Sequence, residues 1–192
     1  MLIAIEGIDG SGTSTHARLL VRWLRRRGMR AALTKEPTRG PVGRIIRRLL
    51  KQPSHDPPLL ALLFAADRRL HVLSIQKQLS SGYVVVSCRY LLSSFAYQVA
   101  DGLPSRWVEE INRFAPLPDL TIILDVPPEV AAARKPGFGE EVFEQTAFLR
   151  KVRETYLRLA QDPRFNAVVI DARQDITEVQ QAIRETVITY LR

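Results

Sequence analysis

Cysteine occurs once in the 192 residues, as Cys88. That scarcity excludes an internal disulfide and any zinc site built from cysteines, and the three histidines are too scattered to suggest a metal cluster. No apolar run approaches the ~18 residues that a membrane span requires. The N-terminal LIAIEG meets an acid and a glycine too early for a secretory leader. A soluble, cytoplasmic protein without a membrane partner is the expectation. Internal repeats and low-complexity linkers are also missing, so residues 1–192 are expected to close around one core as one domain.

Acidic residues are fewer than basic ones, 20 against 28, and the formal charge is +8. Such a balance suits a nucleic-acid binder or an enzyme whose substrates are all polyanions. Much of the arginine lies in RLLVRWLRRRGMR and GRIIRRLLK at helical spacing, where a solvated helix face is the simpler reading. These segments lack the regularly interleaved aromatics of a single-strand stacking platform, so nucleic acid is not the expected partner.

Short apolar runs alternate with longer amphipathic segments. Strands are expected at 2–6, 31–34, 83–87, 120–125 and 167–171, each nearly continuous in apolar residues. Strands buried on both faces read this way, which implies an α/β fold with a parallel sheet between helices. The first helix should start within a glycine loop and reach about Arg27, with Gly28 as its left-handed terminator and Ala17, Leu20, Val21 and Leu24 facing inward. Further helices are expected at 41–51, 58–80, 93–100, 104–115, 127–134, 144–161 and 175–191. The segment RKPGFGEEVFE (134–144) breaks the helical pattern and reads as a flap.

The glycine loop is IEGIDGSGTST, with Gly7, Gly10 and Gly12 between a strand and a helix. Successive N–H groups from Asp9 to Ser14 can curl round a phosphate, and the helix N-terminus adds partial positive charge. The usual pattern ends in lysine followed by serine or threonine. Here Thr13 stands in the lysine position, followed by Ser14. A neutral, shorter side chain cannot follow a phosphoryl group in transfer, a loss of about 3–5 kcal/mol, or ~10² to 10⁴ in rate, unless another cation fills the space.

IEGIDGSGTST, TKEPTRGPVG, LLFAADR, CRYLLSSFAYQ and LDVPPEVAAARK stand in the order and spacing of the thymidylate kinases. VIDARQDITEVQQAI is similar to the C-terminal strand and helix of that family, so the resemblance spans nearly the whole chain. It implies a three-layer sandwich of the P-loop NTPase type, with a parallel five-stranded sheet and a flap, or LID, at about 134–144. The implied reaction is ATP + dTMP → ADP + dTDP with Mg²⁺ on ATP, in a homodimer. Because the dTMP phosphate is itself the nucleophile, positioning and charge neutralisation matter more than a general base.

Residue by residue, the resemblance puts Gly7, Asp9, Gly10, Ser11, Gly12, Thr13, Ser14 and Thr15 around ATP. The Ser14 hydroxyl falls on Mg²⁺, Thr15 caps or packs the helix start, and Ala172 and Arg173 lie near adenine. On the dTMP side it places Phe64 against thymine and Arg68 on the base. Arg89 falls on the acceptor phosphate, Ser94, Tyr97 and Gln98 in the nucleoside pocket, and Glu36, Pro37 and Arg39 in the loop after the second strand. Asp9 would lie between the two ligands, contacting sugar or phosphate. Plain alternatives exist for each: core packing for Phe64 and Tyr97, an ion pair with Asp67 for Arg68, a solvated loop arginine for Arg39, and a turn cap for Asp9.

Cys88 departs from the Asp-Arg-Tyr of the family, removing a carboxylate that would help hold the metal's water shell. A thiol is a poor ligand for a hard cation, and a small buried hydrophobe is the simpler reading of Cys88. Both departures weaken neutralisation of the triphosphate. Arg134 and Lys135 of the flap are the candidates to cover the gap at Thr13, with Glu36, Asp9 or Asp125 supporting the metal. Three alternatives stay open on sequence alone: a silent nucleotide-binding homologue with a regulatory role, a related deoxynucleoside or nucleoside monophosphate kinase, and a nucleic-acid binder.

Overall fold

A computed structural model describes residues 1–52, 56–134 and 142–191. Five parallel strands, β1 (Leu2–Glu6), β2 (Ala31–Lys35), β3 (Val84–Cys88), β4 (Leu120–Asp125) and β5 (Ala167–Asp171), lie in the order β2-β3-β1-β4-β5. Leu2, Ile3 and Ile5 of β1 and Val85 and Val86 of β3 are fully buried, as central strands covered on both faces should be. Helices link the strands: α1 (Thr13–Arg26), α2 (Pro41–Leu49), α3 (Pro57–Ser80), α4 (Leu91–Ala100), α5 (Ser105–Asn112), α6 (Pro128–Ala133), α7 (Val142–Leu159) and α8 (Ile176–Tyr190). α1 packs against α8 in one layer, while α3, α4, α5 and α7 form another, with α2 on α3 and α6 beside α7.

The four inward residues expected of α1 are all buried, and Gly28 takes the left-handed conformation that ends it, at φ +78°. At the start of α3 the Asp56 side chain accepts from Leu59 N at 2.8 Å, and Pro57 and Pro58 fill first-turn positions that need no intrahelical donor. α4 starts at Leu91, two residues before the expected start. The reason is tertiary: Glu6 of β1 accepts the Tyr90 amide at 2.9 Å and fixes the chain entering the helix. α5 ends at Asn112, earlier than expected, where the Asn112 side-chain Nδ2 donates back to the Val108 carbonyl at 2.8 Å. Of the flap segment, 135–141 lies outside the described residues, Arg134 follows α6, and 142–144 are the first residues of α7.

All five strands point their C-terminal ends the same way, and pairing of Ile5 with Cys88 sets the loop after β1 beside the turn after β3. In such sheets this edge, where chain connections diverge, is where ligands bind. The loop after β2 is clamped over it: Asp67 of α3 accepts from Thr38 N and Thr38 Oγ1, both at 2.6 Å. Gly43 of α2 makes that approach possible, because a Cβ there would lie 2.0 Å from the Thr38 carbonyl oxygen. Gly43→Ala must therefore displace backbone, costing about 1–3 kcal/mol of stability. Thermal unfolding should show a lowered Tm; an unchanged Tm would contradict the packing described.

Candidate functional site

The loop after β1 is shaped by glycine at positions that an L side chain would spoil. Gly10 sits at φ +87°, and a Cβ there would come within 2.4 Å of the Ala131 carbonyl oxygen, so α6 can close directly on the loop. Gly12, at φ +96°, is the N-cap of α1, and no side chain caps the helix. The amides of Gly10, Gly12, Thr13 and Ser14 donate to no acceptor among the described residues. The Ser11 hydroxyl is buried in the same loop without a partner among the described residues. Free N–H groups at a helix start form a cradle for an anion. Thr13 is buried at the base of the cradle and Thr15 is exposed. Thr15 therefore neither caps nor packs the helix start, because the Gly12 backbone already makes that turn.

Ser14 Oγ lies 3.2 Å from Cys88 Sγ, and Cys88 is buried at the end of β3. Next in the chain, Arg89 adopts φ +66°, an uncommon conformation for a side chain of this size, while its amide donates to Ile5 O at 2.9 Å. This backbone turns the guanidinium towards the loop. One terminal nitrogen donates to Asp9 Oδ1 at 2.9 Å and to the Tyr97 hydroxyl at 3.2 Å, and the other donates to Ser93 Oγ at 3.2 Å. The Asp9 amide donates to the same Tyr97 hydroxyl at 3.0 Å. Burial works against the Arg89 charge, but Tyr97, Asp9, Tyr156 and Glu6 more than offset it and leave the pKa well raised. Burial, partly countered by Arg89, pushes the Tyr97 hydroxyl up to about 12. Asp9 is thus the loop's tie to Arg89 rather than a turn cap, and its carboxylate remains half exposed.

Beneath Arg89 lies Glu6, which sequence reasoning passed over. Its buried carboxylate accepts from Tyr90 N at 2.9 Å, from the Ser93 hydroxyl at 2.6 Å and from the Tyr156 hydroxyl at 3.1 Å. Burial raises its pKa, against the lowering effect of the Ser93 hydrogen bond and the Arg89 and Arg68 charges. The signal was present: one acid within an otherwise apolar central strand needs partners to stay there.

A second buried network supports the loop after β2. Arg68 Nε and Nη2 donate to Glu36 Oε2 at 3.0 and 2.7 Å, Nη2 also donates to Tyr90 O at 3.1 Å, and Nη1 donates to Asn112 Oδ1. His71 Nδ1 lies 2.9 Å from Glu36 Oε1. The alternative of an Arg68–Asp67 ion pair is corrected here, since Asp67 is occupied by Thr38 and Arg68 by Glu36. Arg68 is 1% exposed, and these contacts engage four of its five N–H groups, so in this structure it holds the loop after β2. Phe64, one turn earlier on the same helical face, is half-buried and lies outside the main core cluster. Ser94 and Gln98 are buried together, with Gln98 Nε2 donating to Ser94 Oγ at 3.3 Å and Gln98 Oε1 left without a donor. Pro37 accepts from Arg47 through its carbonyl at 3.0 Å, and Arg39 is exposed.

On the other flank, Arg134 Nη2 donates to Ala172 O at 2.7 Å and reaches Arg173 O at 3.4 Å. Its contact is thus with the loop after β5. Ala172 is buried, and the Arg173 guanidinium is exposed and paired with Asp171, whose pKa falls to about 2 through hydrogen bonds from Arg173. Lys135 lies outside the described residues. Two expected metal supports are already engaged: Asp125 by Arg153 at 2.6 and 2.8 Å, and Glu36 by Arg68 and His71. No group of three potential ligands from His, Cys, Asp and Glu occurs among the described residues. The donor set therefore fits a cation carried in by a polyphosphate and touched by the Ser14 hydroxyl, rather than a freestanding metal site. No helix among the described residues is long and apolar enough to cross a membrane.

An anion cradle at the C-terminal edge of a parallel sheet, faced by an arginine from the adjacent strand, defines an α/β nucleotide-binding protein of the P-loop kinase type. The family model described as thymidylate kinase matches residues 5–183. A probable thymidylate kinase of Pyrobaculum aerophilum is 47% identical over 188 residues, covering 96% of this chain and 95% of that protein. One of Thermococcus onnurineus is 46% identical over 175 residues, 84% of each chain, and one of Thermococcus kodakarensis is 42% identical over 210 residues, covering 100% and 98%. The chain belongs to the thymidylate kinase family.

His16, buried two residues beyond Ser14, has Nδ1 3.2 Å from Gln180 Oε1, and its ring lies against Gly12. Burial lowers its pKa from 6.5, Gln180 opposes the shift, and the Arg134 charge adds to it. For a group with a lowered folded-state pKa, stability is full above the ordinary value and is lost as pH falls through the folded one. Below pH 6.5 the protein should therefore lose stability. His16→Gln should flatten that part of the profile of Tm against pH, and an identical slope in both proteins would contradict the shift.

Proposed function

We propose that the chain transfers the γ-phosphoryl group of ATP to dTMP, giving ADP and dTDP. The observation that carries this reading is the Asp9–Arg89–Tyr97 cluster, in which one guanidinium ties Asp9 of the phosphate cradle to Ser93 and Tyr97 of α4, the helix that also carries Ser94 and Gln98. Two nucleotides lying end to end across that guanidinium would bring an acceptor oxygen in line with the γ-phosphorus. The acceptor oxygen forms the new P–O bond as the bond to the β-phosphate oxygen breaks, and the departing negative charge remains on ADP.

In this reading Gly7, Gly10, Ser11, Gly12 and Thr13 cradle the ATP phosphates, Ser14 touches the Mg²⁺ they carry, and Ala172 and Arg173 lie by adenine. Arg89 grips the dTMP phosphate, for which a planar guanidinium suits two oxygens. Phe64 is free of the core and offers a ring to thymine, while the vacant acceptor on Gln98 suits a base N–H. Tyr97 lies by the deoxyribose, Pro37 and Arg39 close the far side, and Arg68 holds Glu36 in the loop after β2. Arg134 and the adjoining Lys135 supply cations missing at Thr13. Arg134 would have to leave the Ala172 carbonyl to do so. A homodimer is supported by α3, whose Leu59, Leu62, Leu70 and Leu73 are each about half exposed at helical spacing. A cytoplasmic location fits the substrates.

Steady-state transfer from ATP to dTMP with magnesium tests the reading. The native chain should turn over, Arg89→Ala should lower kcat/KM by roughly 10² to 10³, and Thr13→Lys should change kcat by less than about tenfold. Absence of turnover with any nucleoside monophosphate, together with restoration by Thr13→Lys, would overturn the proposal.

A further inference from the structure

Arg18, Arg22, Arg25 and Arg26 of α1 surround a cavity of about 430 Å³ that also includes Val21 and Leu33. It lies on the flank of α1 facing the edge strand β2, away from the Asp9–Arg89–Tyr97 cluster. All four arginines are exposed, and none forms an ion pair among the described residues. Elsewhere on the surface Arg113, Arg150, Arg164 and Arg173 are paired with carboxylates, while Arg44, Arg48, Arg69 and Arg106 are exposed without an ion pair among the described residues; what sets the α1 group apart is that its four arginines line one groove. Arg18, Arg22 and Arg26 follow one another at four-residue intervals, and Arg25 is three residues from Arg22, so the like charges are helical neighbours and destabilise α1 unless an anion lies between them. Arg25 is additionally oriented by its Nε, which donates to Ala31 O at 2.9 Å and leaves its terminal nitrogens available.

The groove is not purely polar. Leu33, 42% exposed on β2, gives it an apolar side. A bare phosphate would use the guanidiniums and leave that surface wet, whereas a ligand with both a polyphosphate and a flat apolar body would use both. The volume lies within the range of small-molecule pockets. No aromatic side chain lines the groove, so it lacks the stacking surface of a single-strand nucleic-acid channel.

We infer that the groove between α1 and β2 is a second anion site, which binds the polyphosphate of a nucleoside triphosphate on Arg18, Arg22, Arg25 and Arg26 and its apolar body against Leu33. The site shares α1 with the phosphate cradle, since Arg18 lies one turn beyond Ser14. A triphosphate bound there would neutralise the flank of the helix whose N-terminus holds the first nucleotide.

Equilibrium dialysis of the full chain with a labelled non-hydrolysable ATP analogue counts the sites directly. Two classes should appear, and in the variant carrying Arg22→Glu and Arg26→Glu the weaker class should fall in affinity by about tenfold or more, with the tighter class unchanged. The neutral pair Arg22→Gln and Arg26→Gln serves if charge reversal unfolds α1, as judged by circular dichroism. A single class in the native chain, or two classes indifferent to either variant, overturns the inference. So does a weaker class displaced as well by inorganic tripolyphosphate as by the nucleotide, which would mark an anion patch with no nucleoside recognition, or groove variants that alter only duplex DNA binding. Loss of the tighter class alone would instead count against the catalytic reading, so the two failures are distinguishable.

Discussion

Parallel pairing of β1 with β3 is the constraint on which the rest of the molecule depends. With Ile5 opposite Cys88, the chain leaves both central strands at the same level, one into the glycine loop and the other into Arg89. The Arg89 amide closes the junction on the Ile5 carbonyl, and Glu6 closes it from below by accepting the Tyr90 amide. A one-residue slip would reverse every side chain on β1 between the faces of the sheet and carry Arg89 away from Asp9. The continuous apolar character of both strands therefore does more than build a core. It sets the separation between the phosphate cradle and the arginine facing it.

Two buried polar networks hold this edge of the sheet in shape. Glu6 collects hydroxyl and amide donors from α4 and α7, and Glu36 collects Arg68 and His71 from α3. Removing one partner of such a buried pair costs about 3–5 kcal/mol, because the remaining charge is left unsolvated. Fully satisfied networks are rigid, and rigidity here keeps groups with vacant hydrogen-bonding capacity from relaxing. Gln98 Oε1, Ser11 Oγ and the amides at the start of α1 all lack partners among the described residues. Each is a polar group whose hydrogen-bonding capacity is open to a ligand, and leaving such a group unpaired carries a cost that a bound partner would relieve.

Much of the architecture was legible in the sequence for simple reasons. Five apolar runs specify five strands, of which β1, β3 and β4 are buried while the edge strands β2 and β5 are only partly covered, and glycines at 7, 10 and 12 between a strand and a helix specify the loop. What escaped was tertiary. Nothing local to LLFAADR says that Arg68 reaches back to Glu36, or that Asp67 reaches Thr38 instead of its neighbour. Likewise CRYLLSSFAYQ does not disclose that its helix begins at Leu91, because the entry angle is fixed by an acid from β1. Nor does the sequence disclose that Arg134 reaches the carbonyls of Ala172 and Arg173 after β5. Long side chains with several donors are the ones whose partners periodicity cannot name. Glu6 and Asn112 belong to the same class: a buried polar residue announces that it has partners without saying which.

The absent lysine poses the central physical question. Main-chain N–H groups and a helix terminus supply partial charges that are fixed in direction and require no reorganisation, so ground-state binding should survive the loss of an ammonium better than transfer does. Calorimetric titration of a non-hydrolysable ATP analogue, with magnesium, into the native chain and into Thr13→Lys tests this most directly. The account predicts dissociation constants within about tenfold of one another. Saturable binding by Thr13→Lys with none by the native chain would show that the cradle cannot gather the nucleotide on its own, and would contradict it.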